Sequence, residues 1–233
     1  MRVVVVALLA ACSAPPKPAI GNTTPAKLGP APLVERGGRY GLTTQYMPAI
    51  AADGSQIVAA IRESDGDRGF PNMTLVVKDR RDTEVMRHVV LSIDESDTVL
   101  DDAEGNNPQL DARVTRANTW LAKLGFESMR LLENEKTEIP FDRTKAFGDG
   151  VTVFWEPSHL RITDGTTVLV DTQTPASWLP ESSKVGTNVC QRSAYLGSAA
   201  IARAHELAVV TISYIASSDF CLPPPDQHHV IVW

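Results

Sequence analysis

The residues best suited to chemistry in this 233-residue chain are its histidines and carboxylates, and the first pattern that they suggest is a zinc protease. His205 and Glu206 begin the motif H-E-x-x-H, in which two histidines on one helical face hold zinc and the glutamate serves as general base. Val209 stands where the second histidine is required, in a segment that reads as a strand. The pattern therefore does not predict a zinc site.

Two acidic runs contain the oxygen ligands that Ca²⁺ prefers. Asp65 and Asp67 begin the first run, but Gly69 and Phe70 occupy the positions where an EF-hand needs its third ligand and its glycine, so a solvated turn is predicted. The second run contains the candidate metal ligands Asp101, Asp102 and Glu104. An acidic loop that leads into a helix is the alternative, because negative charge is favourable near a helix N-terminus. No cofactor is predicted.

Histidines could also act as general bases, but the chain contains no G-x-S-x-G, S-x-x-K, P-loop or G-x-G-x-x-G motif. An enzyme would need His88, His159 or His205 within hydrogen-bond reach of a serine or a carboxylate in a cleft. His228 and His229 are neighbours in a segment that reads as a strand. Adjacent strand residues point to opposite faces, so we expect one inward and one outward histidine rather than a shared metal ion.

The first residues have the three parts of a secretory signal peptide: a basic start at Arg2, an apolar run from Val3 to Ala11 and small residues before Cys12. The run is too short to cross a bilayer as a helix, which takes about 20 apolar residues. An N-terminal β-strand is the alternative, since valine favours strands. That alternative leaves the charge, the small residues and the cysteine unexplained.

The end of this segment resembles the lipobox of bacterial lipoproteins through Leu9, Ala10, Ala11 and Cys12. The resemblance covers only the first twelve residues. It implies that residues 1–11 are removed and that Cys12 carries a diacylglycerol and an N-acyl chain such as palmitate. Two or more buried acyl chains anchor a protein stably, so the membrane is the first expected partner. In Gram-negative lipoproteins an Asp after the cysteine favours the inner membrane; Ser13 therefore implies the outer membrane, facing the periplasm or the cell surface.

Residues 12–32 are predicted to be a tether. Six prolines and no aromatic residue occur between Ser13 and Pro32, a composition that buries too little apolar surface to fold. Polyproline II advances about 3.1 Å per residue, so this segment could hold the domain up to roughly 60 Å from the bilayer. A proline-rich recognition motif is the alternative, although the prolines are irregularly spaced.

The charge of the chain argues against nucleic-acid binding. After removal of residues 1–11, the chain has 21 basic and 28 acidic side chains, which gives a net charge of −7. Lys78, Arg80 and Arg81 lie beside Asp79 and Asp82, which predicts a solvated turn rather than a basic patch.

Cys190 and Cys221 are the two cysteines that follow the tether. In an exported chain such a pair predicts one disulfide. Two free thiols or a metal or redox site are the alternatives, but neither cysteine has a C-x-x-C partner or a nearby histidine.

Residues 33–233 are predicted to form a single β-rich α+β domain with antiparallel sheets, about nine strands and one clear helix. The helix is predicted at about residues 108–124, with Asn107 as N-cap, Pro108 at the first position and Gly125 as the stop before Phe126. Asp53-Gly54, Asp149-Gly150 and Asp164-Gly165 predict hairpin turns. A β-propeller is the alternative for these three dipeptides, but their spacings form no repeat.

Two functions fit these observations. The first is a non-enzymatic lipoprotein whose domain binds an envelope protein, a small ligand or cell-wall material. The second is an envelope hydrolase whose polar residues converge only in the fold.

Overall fold

The computed structural model describes residues 29–37, 41–65, 69, 71–100, 107–181, 183–185, 188–217 and 221–233. The strands of these ranges are, in chain order, β1 (Leu33–Gly37), β2 (Gly41–Gln45), β3 (Ala49–Ala51), β4 (Gln56–Ile61), β5 (Met73–Asp79), β6 (Glu84–Leu91), β7 (Phe126–Ser128), β8 (Arg130–Leu131), β9 (Glu133–Asn134), β10 (Lys145–Gly148), β11 (Val151–Glu156), β12 (His159–Asp164), β13 (Thr167–Gln173), β14 (Ser183–Val185), β15 (Asn188–Cys190), β16 (Arg192–Ala202), β17 (Leu207–Ala216) and β18 (Gln227–Val232). The two α-helices are α1 (Ile93–Leu100) and α2 (Pro108–Leu124).

Three antiparallel sheets form the body of the domain. Sheet I has the order β6-β5-β4-β3-β7, sheet II the order β18-β17-β16-β8, and sheet III the order β13-β12-β11-β10-β9. The pairs β1-β2 and β14-β15 form two separate hairpins. The predicted β-rich α+β class is thus confirmed, but the strands are more numerous than predicted, because strands of two or three residues are too short to show a period in the sequence.

Sheet II lies in the middle, with a hydrophobic core on each of its faces. Ala208, Val210 and Ile212 of β17 pack in the core shared with sheet III, which includes Trp155. The alternating residues of the same strand, Leu207 and Val209, pack in the core shared with sheet I. Because successive strand residues point to opposite faces, β17 is buried along nearly its whole length.

Helix α2 covers the other face of sheet I. Its apolar residues Leu110, Ala117 and Leu121 are buried in a third core with residues of sheet I, among them Leu75. The hairpin β1-β2 lies beside the helix, where the side-chain amide of Asn118 exchanges hydrogen bonds with the backbone of Val34. The layers of the domain are therefore helix and hairpin, sheet I, sheet II and sheet III.

Both ends of α2 agree with the sequence prediction. The Asn107 side chain accepts a hydrogen bond from the Leu110 N–H at 2.9 Å, and Pro108 is the first helical residue. Gly125 has φ 64°, the left-handed conformation that ends helices, and the following Phe126 is buried.

Helix α1 is a second helix, whereas the sequence predicted one clear helix, at about residues 108–124. Ser92 and Glu95 form a capping box: the Glu95 N–H donates to Ser92 Oγ, and the Ser92 N–H donates to the Glu95 carboxylate. Arg113 of α2 also donates to this carboxylate, at 2.9 and 3.1 Å. The hydrogen bonds from Arg113 and Ser92 lower the pKa of Glu95 to about 2. The S-x-x-E spacing was the sequence signal for this helix.

The three Asp-Gly dipeptides all form hairpin turns, as predicted. Gly54, Gly150 and Gly165 have positive φ angles of 72°, 79° and 55°. Asp149 also has a positive φ, 51°, so its turn has positive φ at both central residues, which matches the right-handed twist of the flanking strands.

A single stretch of chain, residues 126–134, provides an edge strand to all three sheets. It contributes β7 to sheet I, β8 to sheet II and β9 to sheet III. Between these strands the Met129 N–H donates to the Pro48 carbonyl and the Leu132 N–H to the Ala199 carbonyl. We call this stretch the edge segment. It fixes the relative positions of the three sheets along one side of the domain.

Cys190 and Cys221 form the predicted disulfide, and both side chains are buried. The bridge joins the end of β15 to the segment that leads into β18. Among the residues that the structure describes, no helix is both long and apolar enough to cross a membrane.

We predict that the double substitution Cys190→Ala, Cys221→Ala lowers the free energy of unfolding. The two cysteines are 31 residues apart, and closure of such a loop stabilises a fold by roughly 3–4 kcal/mol in the chain-entropy account. Urea denaturation of the full chain measures the effect, and the reduced wild-type chain is the matched control. A variant that unfolds at the same urea concentration as the oxidised wild type would contradict this role.

Candidate functional site

Several of the predicted site residues lie outside the described ranges. These are the candidate lipid attachment site Cys12 and the candidate metal ligands Asp101, Asp102 and Glu104. Within the described ranges, no group of three or more histidine, cysteine or acidic residues is close enough to hold a metal ion.

His205 and Glu206 occupy the turn between β16 and β17, which is not a helix of the zinc-protease kind. The His205 ring packs on Gly54, so closely that a Cβ at Gly54 would lie 2.3 Å from its Nδ1. Arg80 donates to the His205 carbonyl at 3.0 Å and to the Gly54 carbonyl at 3.4 Å. These contacts give His205 a structural role, which is to join the turns of sheets I and II.

His159 is the residue that comes nearest to the enzyme requirement. Its Nε2 lies 2.6 Å from Asp171 Oδ1, but both side chains are more than a third exposed on sheet III, and neither lines the two cavities described below. His88 stacks on Trp120 with the ring centroids 5.0 Å apart. Burial, with the nearby Arg116 charge, lowers the pKa of His88.

His228 and His229 point to opposite faces of β18, as predicted, but the expected outward histidine is wrong. His228 reaches toward sheet I, where its Nε2 lies 3.0 Å from the Ala60 carbonyl. His229 stacks on Trp178 with the ring centroids 3.7 Å apart and is only 6 % exposed. Both rings contact protein because sheet II is covered on both faces, so neither face is exposed to solvent.

The predicted turn forms at residues 80–82, and Arg81 is exposed there. Lys78 and Asp82, however, are only 20 % and 25 % exposed rather than solvated, because they bond to β18. Lys78 Nζ donates to Asp82 at 2.8 Å and to the His228 carbonyl at 2.6 Å. The other Asp82 oxygen lies 2.8 Å from His229 Nδ1, and the Val230 N–H donates to Asp82 at 2.9 Å. We call Lys78, Asp82, His228 and His229 the β18 clamp. Lys78 and Asp82 of sheet I bond to the His228 carbonyl and the Val230 N–H on the outer backbone edge of that strand.

The hydrogen bonds determine the tautomer of His228. The Ala60 carbonyl can only accept, so His228 Nε2 carries the proton, and Nδ1 accepts from the Thr211 hydroxyl at 3.0 Å. Burial is the main cause that lowers the pKa of this imidazole. His228 is therefore neutral at pH 7.

Asp82 and His229 form an ionisable pair within the clamp. Burial opposes ionisation of Asp82, but hydrogen bonds from His229, Lys78 and Val230 together lower the pKa of its carboxyl. Burial lowers the pKa of His229, and this effect exceeds the opposing effect of the Asp82 hydrogen bond and charge. At neutral pH the clamp thus consists of a carboxylate, a lysine ammonium and two neutral imidazoles.

A small apolar groove lies beside the clamp, between β18 and the face of sheet I. It has a volume of about 190 Å³ and is lined by the apolar residues Ala59, Ile61 and Val76. Lys78 of its lining is already bonded to Asp82 and to the His228 carbonyl, and the other charged side chains of the lining, Glu84 and Asp226, are acidic.

A larger cavity of about 480 Å³ lies at the edge segment, and we call it the edge cavity. This volume is within the usual range for small-molecule sites, about 300–1,000 Å³. The lining comes from the start of the described chain, the loop before β3, the edge segment, the β10-β11 turn and the end of β16: Gly29, Pro30, Tyr46, Met47, Ser128, Met129, Arg130, Leu131, Asp149, Ile201, Ala202, Arg203 and Ala204. All three sheets thus contribute to it.

Two arginines of the edge cavity meet at Asp149. Arg130 Nε donates to the Asp149 carboxylate at 3.1 Å. Arg203 donates to the Asp149 carbonyl and, at 2.8 Å, to the Asp164 carboxylate. A guanidinium has five donors, so both arginines keep donors beyond these contacts.

Two residues that precede β1 also lie at the edge cavity. The Gly29 N–H donates to the Ser128 carbonyl, and the Ser128 N–H donates to the Pro30 carbonyl. Both Gly29 and Pro30 line this cavity.

Sequence reasoning missed both the β18 clamp and the edge cavity. Arg130, Asp149 and Arg203 are far apart in the sequence, and nothing in their local patterns marks them as neighbours. The four tryptophans are packed in or against the cores. In comparisons with known proteins, no family model, no curated protein and no solved structure matches this chain.

We predict that acidification below pH 6.5 destabilises the domain through the β18 clamp. A histidine whose folded pKa lies below its unfolded value of about 6.5 contributes its stability above that value and loses it as the pH falls toward the folded pKa. Between pH 7.5 and 5.5 the expected loss is about 1.4 kcal/mol for each imidazole that stays neutral in the fold.

The substitution His228→Gln isolates one histidine of the clamp, because the glutamine amide can still donate to the Ala60 carbonyl. This variant should be less stable at pH 7.5 but lose less stability on acidification than the wild type. Urea denaturation at both pH values provides the measurement, and His159→Gln on sheet III is the matched control. An identical pH dependence in His228→Gln and wild type would show that His228 does not carry the effect.

Proposed function

We propose that this protein is a lipid-anchored lipoprotein of the bacterial envelope, and that its β-rich domain is a non-enzymatic binding module with the edge cavity as its binding site. The lipobox-like residues Leu9, Ala10, Ala11 and Cys12 support the anchor. The size of the edge cavity and the spare arginine donors beside its apolar residues support the binding site.

The observation that carries the proposal is the position of Gly29 and Pro30. These residues connect the proposed anchor to the domain, and they line the edge cavity. Residues 13–28 would extend up to roughly 50 Å as polyproline II. A lipid on Cys12 would thus hold the domain by the side on which the edge cavity opens, which keeps the cavity within reach of the membrane and of its other components.

The disulfide supports export of the domain. Disulfides form and persist in oxidising compartments such as the periplasm and are rare in the cytosol. The bond between Cys190 and Cys221 is buried against the fold that it closes, so the chain reaches its most stable state in such a compartment. The signal-like segment and the disulfide are independent features of the sequence that agree on the location.

We predict that Cys12→Ala abolishes lipid attachment and leaves the signal segment uncut. Cells fed a radiolabelled or alkyne-tagged palmitate should incorporate label into the wild-type protein and not into the variant. The variant should also migrate as the longer precursor in gel electrophoresis. Palmitate label on Cys12→Ala would contradict the proposed anchor.

The matched variant Ser13→Asp tests the proposed membrane. By the lipoprotein resemblance it should remain labelled with palmitate but shift from the outer to the inner membrane in a sucrose-gradient fractionation. An unchanged distribution would exclude sorting by this position.

A further inference from the structure

The edge cavity has an apolar interior and an amphipathic rim. Ile201 and Met129 are 2 % and 4 % exposed, and they form the deep part of the lining. Leu131 and Tyr46 are 53 % and 45 % exposed, so large apolar surface continues outward to the mouth. A ligand with an extended apolar body would cover this surface and displace water from it, which is favourable in proportion to the apolar area buried.

The charged side chains of the lining are Arg130, Asp149 and Arg203. Asp164, which pairs with Arg203 at 2.8 Å, lies beside the lining and balances the second arginine. The anionic group of a ligand is therefore recognised here by directed hydrogen bonds from the guanidinium groups rather than by a net positive charge.

The free donors of the two arginines suit an oxyanion. Arg130 uses its Nε on Asp149 and Arg203 uses a terminal nitrogen on Asp149 and Asp164, which leaves donors on each guanidinium for a ligand. Guanidinium groups bind carboxylate and phosphate through paired, charge-assisted hydrogen bonds. Arg130 bonds to the Asp149 carboxylate and Arg203 to the Asp149 carbonyl, so both guanidinium groups lie at the same end of the cavity.

We propose that the edge cavity binds an anionic amphiphile, with an aliphatic chain on Met47, Met129, Leu131 and Ile201 and a carboxylate or phosphate held by Arg130 and Arg203. The proposal rests on the proposed function for its source of ligand: the tether ends at this cavity, so the lipids of the anchoring membrane are the nearest amphiphiles. A free fatty acid and an acidic phospholipid share this chemistry, and the experiment separates them.

Binding is measured by displacement of the fluorescent fatty acid cis-parinarate from the full chain carrying Cys12→Ser, so that the result does not depend on the anchor. Laurate should displace the probe, and dodecylamine, with the same chain and a positive charge, should do so at least tenfold more weakly. The double substitution Arg130→Gln, Arg203→Gln should weaken laurate binding at least tenfold. Arg161→Gln, which removes another exposed arginine that pairs with an aspartate, is the matched control.

A second variant tests the apolar part of the cavity without removing charge. Ala204 lines the cavity mouth and is exposed, so Ala204→Trp should fill the mouth and abolish probe binding while the thermal unfolding temperature stays unchanged. Ala122→Trp, on the exposed side of α2, should bind the probe like the parent chain.

Vesicles identify the source of the ligand. Co-sedimentation with phosphatidylcholine vesicles that contain phosphatidylglycerol, reduced by Arg130→Gln, Arg203→Gln, would identify an acidic phospholipid. Displacement by laurate without that co-sedimentation would identify a free fatty acid. Equal affinity for laurate and dodecylamine, or laurate binding unaffected by both the double arginine variant and Ala204→Trp, would overturn the proposal. These outcomes are independent of palmitate labelling at Cys12, so failure of the anchor and failure of the ligand can be told apart.

Discussion

Strand β17 imposes the constraint on which the rest of the structure depends. From Leu207 to Tyr214 no side chain is more than 7 % exposed, so the strand must be covered on both faces. Antiparallel sheets commonly leave one face in water, and their strands then alternate between apolar and polar residues. Here the alternation is absent, and each aliphatic side chain contributes about 1.5–3 kcal/mol when it is fully buried. Sheets I and III are the two covers, which explains why a domain of this size contains three sheets.

A stack of three sheets exposes many edges, and the chain closes them with polar groups. On one side, the edge segment pairs successively with all three sheets. On the other side, Lys78 and Asp82 bond to the outer backbone of β18, which removes an open strand edge that could pair with another chain. The edge cavity lies beside the edge segment, and the small apolar groove lies beside the β18 clamp. At both places side chains hold neighbouring sheets together without filling the space between them.

The two sides differ in what they leave for a ligand. In the β18 clamp, each imidazole, the ammonium and the carboxylate bond to one another or to backbone, so the clamp is self-contained. At the edge cavity, Arg130 and Arg203 retain donors and the apolar lining extends to the surface. Gly29 and Pro30, which precede β1, also pack there. A satisfied network stabilises a fold, whereas spare donors next to open apolar surface are what a ligand site needs, and this contrast favours the edge cavity as the functional site.

The sequence by itself determined the features that depend on neighbours in the chain. Helix α2 could be predicted with both of its caps, because Asn107 and Gly125 act on backbone groups a few residues away. The Asp-Gly turns were predictable for the same reason, as was the disulfide, since only two cysteines follow the tether. Helix α1 carried a readable signal as well, in the capping box of Ser92 and Glu95.

Only the tertiary structure decided which surfaces face water. The expectation of an outward histidine in β18 and of a solvated turn at Lys78 assumed that one side of each element is exposed, and the stacking of sheet I on sheet II removes that side. The edge cavity was equally inaccessible to sequence reasoning, because Arg130 and Arg203 come from sheet II and its turn, Asp149 comes from a turn of sheet III, and they meet only when the sheets are stacked. Helix caps and turns depend on residues a few positions apart in the chain, whereas burial depends on which distant segments pack together.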